Sequence, residues 1–124
     1  MATYSEGLTI PGLVAGQDLA NYQYYVVKFA STANAVIICS AATDSVLGIL
    51  CNDPAATEEA LVQCNGVAKA LAEASVTAGE WLAPSSTGRV KTTTTSNDDI
   101  IGKALDASSA AGDLIRVLLT IGNF

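Results

Sequence analysis

The sequence has no histidine and only six lysines and arginines. Without histidine, neither a Ser-His-Asp nor a Cys-His arrangement can be built. Acid–base catalysis would fall to paired carboxylates or lysines. The adjacent acids are Glu58-Glu59 and Asp98-Asp99. Neighbours on a strand point to opposite faces, and in a turn they are solvated, so neither pair converges on one point. No catalytic residue is expected, and the chain reads as no enzyme. The cations Lys28, Lys69, Arg89, Lys91, Lys103 and Arg116 are scattered against a net charge of −6, which argues against nucleic acid as a partner.

Cysteine is scarce too. Cys39, Cys51 and Cys64 are odd in number and widely spaced, so they form no disulfide framework. With no Cys-x-x-Cys pair, a zinc site is not expected, and the three read as small buried hydrophobes in a reduced compartment. Asn97-Asp98-Asp99 lacks the oxygen-rich spacing of a calcium loop, and no glycine-rich phosphate cradle is present. No metal and no cofactor are therefore expected. The first cation is Lys28, so a charged secretory leader is not seen, and no apolar run is long enough to span a bilayer. A soluble product made without Sec-type export, with no membrane partner, is the expectation.

Aromatics make up 6% of the 124 residues, while half the residues are apolar and many of those are alanine. The length fits one domain with a core of small side chains, leaving room for stabilisation by contacts between copies.

What is present is turn grammar. From Val76 to Ile121, short apolar runs are each closed by glycine or a polar turn, the pattern of a compact β domain. The same pattern occurs once before. A shift of 54 positions lays Asp44-Ser45-Val46-Leu47-Gly48 on Asp98-Asp99-Ile100-Ile101-Gly102, and Val36 on Val90, without a gap. Two copies are too few for a solenoid. The expected fold is therefore all-β, or mainly β with at most short helices. It is a β-barrel or sandwich-like domain of two similar halves, about 21–68 and 75–122, within a domain spanning 21–124.

Residues 1–20 lie outside the duplication. With Pro11-Gly12 as a turn and no sustained period, they read as an extended N-terminal arm or a disordered terminus. Tyr4, Leu8, Ile10 and Leu13 are the arm's candidate contacts, and its backbone could pair with a partner's sheet edge. Tyr22 to Phe29 is expected as a strand with apolar groups on both faces, so something beyond the core covers its second face. Its tyrosines could stack on sugars, but a buried strand is the plainer role. Val36–Cys39, Val46–Leu50, Leu61–Val67, Glu80–Pro84, Arg89–Thr94 and Leu114–Ile121 are further strands. Asn52–Glu59 is a loop, with Asp53-Pro54 able to start one helical turn. Ala68–Ser75 has helix propensity but also alternates, and is read as strand. In the last strand Ile115, Val117, Leu119 and Ile121 point inward. Leu114 and Leu118 are left outside as a candidate contact between copies.

The run Thr77-Ala78-Gly79-Glu80-Trp81-Leu82, then Gly88-Arg89-Val90, Ile101-Gly102-Lys103-Ala104-Leu105 and Ala111-Gly112-Asp113-Leu114-Ile115-Arg116-Val117, resembles small, Ala/Gly/Thr-rich capsid decoration (cement) proteins of tailed bacteriophages. The resemblance covers the C-terminal half well, residues 44–67 loosely and the first 20 not at all. It implies a structural virion protein made in the host cytoplasm and placed on the outer capsid surface. Such a protein is commonly a homotrimer, bridges major capsid protein subunits, and often reaches the shell with an N-terminal arm. No catalytic residues accompany it. A head-fibre or glycan-binding adhesion module using Trp81 and the tyrosines is the alternative, with a recombination accessory the third reading.

Overall fold

Val26 and Val27 are neighbours, and both are fully buried. Successive residues of a strand face opposite ways, so this strand has a core on each side. The rest of the architecture follows from that.

The computed structural model describes residues 7–95 and 97–123. Eleven strands account for the regular structure, with no helix among the described residues: β1 (Thr9–Ile10), β2 (Val14–Ala15), β3 (Val26–Phe29), β4 (Ala35–Ile38), β5 (Gly48–Leu50), β6 (Val62–Gln63), β7 (Val67–Leu71), β8 (Trp81–Pro84), β9 (Val90–Thr92), β10 (Asp99–Ala104) and β11 (Leu114–Asn123). They form two sheets, ordered β1-β6-β5-β3-β4-β2 and β7-β11-β10-β8-β9. The all-β expectation holds.

Setting aside β1, β2 and β7, the orders are β6-β5-β3-β4 and β11-β10-β8-β9. At the 54-residue offset these are corresponding strands in the same sequence. The edges also correspond. β2 runs parallel to β4 and bonds residues 57–60, through Ala15 N to Glu58 O (2.8 Å) and Ala60 N to Leu13 O (3.0 Å). β7 runs antiparallel to β11 and bridges β9 in parallel at Ala72–Val90, with Glu73 N donating to Val90 O at 2.8 Å. The second sheet thus closes on itself, which removes most of its exposed edge.

Two apolar clusters fill the molecule. One lies within the first half and contains Leu13, Leu19, Val27, Val36, Leu50 and Val62. The other gathers Leu82, Val90, Ile101, Ile115 and Val117 of the second sheet with Val26, Cys39, Val46 and Ile49 of the first half. The first sheet is therefore covered on both faces, and the second half is what covers its outer one. The small-residue expectation also holds, since Ala68 and Ala70 of β7 and Ala72 just after it line the shared core, although the strand ends at Leu71 and not at Ser75. Their alternation with Lys69 and Leu71 won over helix propensity because a strand buries all three alanines on one side.

Several expectations need correction. Tyr22–Tyr25 is not strand. Tyr24 has φ 73°, and the rings of Tyr22 and Tyr25 meet edge to face at 4.9 Å in a turn before β3. Leu61–Val67 is broken after Gln63. Its buried amide donates to Asn65 O (2.9 Å) and Val67 O (2.8 Å) and holds a turn there. Ile121 is exposed, because β11 runs beyond the end of β7 at Val67 and leaves the core there. The run Thr92-Thr93-Thr94-Thr95, β-favouring and expected to be exposed, is only partly so: Thr93 is buried and donates to Asp98 Oδ2 at 2.5 Å. Residues 9–19, expected within an extended arm, cross the first sheet instead. Leu13 is 4% exposed in the first core, Ile10 packs against it, and Leu8 stands out at 66%. Tyr4 lies outside the described residues.

The two halves are pinned by polar groups as well. Val26 N donates to Gly88 O at 2.7 Å, and Leu71 N reaches Tyr24 O at 3.4 Å. Gly88 has φ +83°, and a Cβ there would press on the side chains of Ile38 and Tyr25. Val46 N donates to Asp99 Oδ2 at 2.7 Å, and Asp99 N to Ala42 O at 2.8 Å. The Asp98-Asp99 pair therefore fastens turns and joins halves.

Candidate interaction surface

With its inner face on the shared core, the second sheet turns its other face to solvent. Alternation decides which side chains stand there. Opposite Leu82, Ile101, Ile115, Val117, Ala68 and Ala70, all inward, stand Trp81, Lys103, Leu105, Leu114, Arg116, Leu118, Val67, Lys69 and Leu71. Registers set the rows. Val67, Leu118, Lys103 and Trp81 lie side by side across four strands. Lys69 pairs with Arg116, and Leu105 N donates to Arg116 O at 2.9 Å, making the next row. Leu71 and Leu114 form the third.

Leu114 and Leu118, expected at a contact between copies, are both on this face. Leu118 is 42% exposed and Leu114 half-buried. Leu105 adds a second exposed leucine at 37%. Lys103 Nζ stands 4.7 Å from the centre of the Trp81 ring, and Lys69 Nζ is 5.9 Å from that of Tyr24. Such contacts hold the ammonium groups over apolar surface without neutralising them. Lys91 is on the same side of β9, opposite Ala83, and lines a hollow of about 350 Å³ with Trp81 and the threonine run. Arg116 is matched within the chain: its guanidinium grips Asp106 with contacts of 2.9 and 3.0 Å. That hydrogen bonding holds the Asp106 carboxyl below the usual carboxylate range. The sequence reading took the leucines but missed Trp81, Lys91, Lys103 and Leu105 as members of the face. The signal was there, in alternation along β8 and β10 read together with β11.

A larger hollow of about 610 Å³ opens where the halves meet, between Tyr22, Tyr25, Glu73, Thr87 and Arg89. Its polar groups are engaged with one another. Glu73 accepts from Ser85 Oγ at 2.7 Å and from the Thr87 hydroxyl, and these bonds depress its carboxyl pKa. Arg89 Nε donates to Tyr25 Oη at 3.3 Å. Cys39, at the edge of this hollow, is buried, and burial pushes its thiol up to about 12, so it is not a nucleophile at neutral pH.

One surface pair carries a pH prediction. Burial alone would raise the Asp44 carboxyl. Hydrogen bonds from Ser40 N (2.7 Å) and Ala41 N (3.1 Å), with Lys28 Nζ at 3.0 Å, outweigh it and leave its pKa lowered. A carboxyl lowered on folding stabilises the protein above its unfolded pKa, and that contribution is lost as pH falls through the folded value. Asp44→Asn is expected to cost about 1 kcal/mol at pH 7. The difference should shrink as pH falls below the ordinary carboxylate range and through the lowered pKa of Asp44. Urea unfolding across this range checks it.

Among the described residues no group of three His, Cys, Asp or Glu is placed to hold a metal ion. The family model described as phage cement protein matches residues 14–119, from β2 to within β11. No curated protein matches the chain.

Proposed function

The chain belongs to the phage cement protein family, and from that premise we propose that it binds the outer surface of the phage head, bridges major capsid protein subunits and stabilises the shell. The family makes it a structural protein of the virion capsid. The observation that carries the finer reading is a broad sheet face rich in leucine and tryptophan on a small closed domain, while the polar groups lining the hollow between the halves are paired with one another. Adhesion needs such a face and no reacting group.

A cement acts by mass action. A protein that binds the assembled shell, and not its separated subunits, stabilises the shell by the free energy of binding. A homotrimer multiplies a modest contact through effective concentration, so each copy can bind weakly while the trimer holds. The exposed Leu8 adds to the contact.

Electron microscopy of heads lacking the protein, before and after adding it purified, tests this reading. Ordered density on the outside of the shell, across joints between subunits, is the expected result. Heads that stay bare contradict it.

A further inference from the structure

We propose, on the strength of that reading, that the outer face of the second sheet is what meets the shell, and that its docking site there is an acidic and apolar protein surface.

The inference starts from where the cations are. Of the six, Lys28 is paired with Asp44 and Arg89 is held by Tyr25 in the hollow between the halves. The other four stand on this one face. Arg116 is matched by Asp106. Lys69, Lys91 and Lys103 make no ion pair among the described residues. In a chain of net charge −6, three unmatched ammonium groups share a surface with Trp81, Leu105 and Leu118.

Covering such a face has a requirement. The leucines and the tryptophan favour removal from water, but an ammonium covered without a counter-charge is strongly unfavourable. A partner that buries the apolar groups must therefore bring carboxylates to the lysines. Trp81, with Lys103 over its ring and Lys91 beside it, is the natural anchor, since tryptophan in a partly desolvated hollow concentrates binding energy.

The far side of the molecule has the opposite sign. Asp18, Asp53, Glu58 and Glu59 are all exposed on the segments that close the first core, where Leu19 N bonds Pro54 O and Ala15 N bonds Glu58 O. First core, first sheet, shared core and second sheet lie in series between those acids and the lysine face. On the lysine face the exposed Glu80 lines the hollow with Lys91, but the three unpaired lysines outnumber it, so an acidic shell would turn the protein lysine face first. This gives the shell the face on which the candidate self-contact residues Leu114 and Leu118 lie. A second copy would have to meet it with its acidic end. Contact between opposite ends stacks copies into open filaments and does not close a ring.

The test is binding of the full chain to heads that lack it, with Lys91→Glu/Lys103→Glu beside the wild type. Lys103 is exposed and Lys91 half-buried at the rim of the hollow, and neither makes an ion pair among the described residues, so the double variant should melt within a few degrees of the wild type. Its affinity for heads is expected to fall about 100-fold. Wild-type binding should weaken as salt rises from about 50 to about 500 mM, and the variant's much less. Equal binding by the two proteins would overturn the inference while leaving the cement reading intact. So would a variant that changes its mass in solution and still decorates heads, since the face then belongs to a second copy. Wild-type protein that leaves heads bare would overturn the cement reading, and this inference with it.

Discussion

Gly102→Ala should lower the melting temperature by about 10 °C, though it adds one methyl group. The pairing of β10 with β11 shifts register between Ile100 and Gly102, with the extra residue on β11, and beside that shift the β11 backbone comes in unusually close to Gly102. A Cβ on Gly102 would sit 2.8 Å from the Leu118 carbonyl carbon and 3.0 Å from Leu119 Cα, and closer still to the Leu118 oxygen. These are backbone atoms in the middle of the longest strand, so no rotamer change relieves the clash. Overpacking of this kind costs about 3 kcal/mol or more, a large share of the roughly 5–15 kcal/mol that holds a domain together. Gly48 is the same position one repeat earlier. Its Cβ would fall 2.8 Å from Val62 Cγ1 and 3.0 Å from the Gln63 carbonyl carbon. Gly48→Ala is expected to behave alike. Thermal unfolding followed by circular dichroism reads both; a drop in Tm of less than about 4 °C in either would show that the strands can part without penalty.

Ile49→Lys is expected to have an effect as large, whereas its mirror, Lys103→Ile, should change stability by less than about 0.5 kcal/mol. The two sites are 54 residues apart and occupy equivalent places. Each faces outward from its sheet at the middle of the corresponding strand, Ile49 opposite Val26 on β3 and Lys103 opposite Trp81 on β8, a pairing one residue out of the 54-residue offset. Ile49 is fully buried because the second half lies over it, while Lys103 is exposed because nothing among the described residues lies over that face of the second half. A lysine at 49 would put an unmatched charge between the sheets, at an expected cost of about 4 kcal/mol. Isoleucine at 103 would only enlarge an apolar face. Urea unfolding of the pair checks this. If both substitutions cost little, the halves do not pack as a covered and an uncovered copy of one unit.

That asymmetry explains what the sequence could and could not tell. The 54-residue offset, the two hairpins and the all-β class were legible because turn residues and alternating apolar residues are local signals. So was the need for a cover over the second face of the Val26 strand, although not its identity. Residues 9–19 were misplaced for a physical reason. β1 and β2 are two residues each, too short to show a period, and what anchors them is burial of Leu13, Ala15 and Leu19 under distant segments. Tyr22–Tyr25 misled because aromatic residues favour strands, while the left-handed Tyr24 that makes the turn leaves no mark in composition. The interaction face was half read. Leu114 and Leu118 stood out along one strand, but Trp81, Lys91 and Lys103 join them only through pairing between strands.

The central claim is that this protein strengthens a shell by sticking to it. Heating DNA-filled heads with and without the protein, and following release of the DNA with an intercalating dye, measures that directly. Decorated heads should release their DNA several degrees higher than bare ones, and the Lys91→Glu/Lys103→Glu variant should leave most of that gain unrealised. Release at the same temperature from decorated and bare heads would contradict the account.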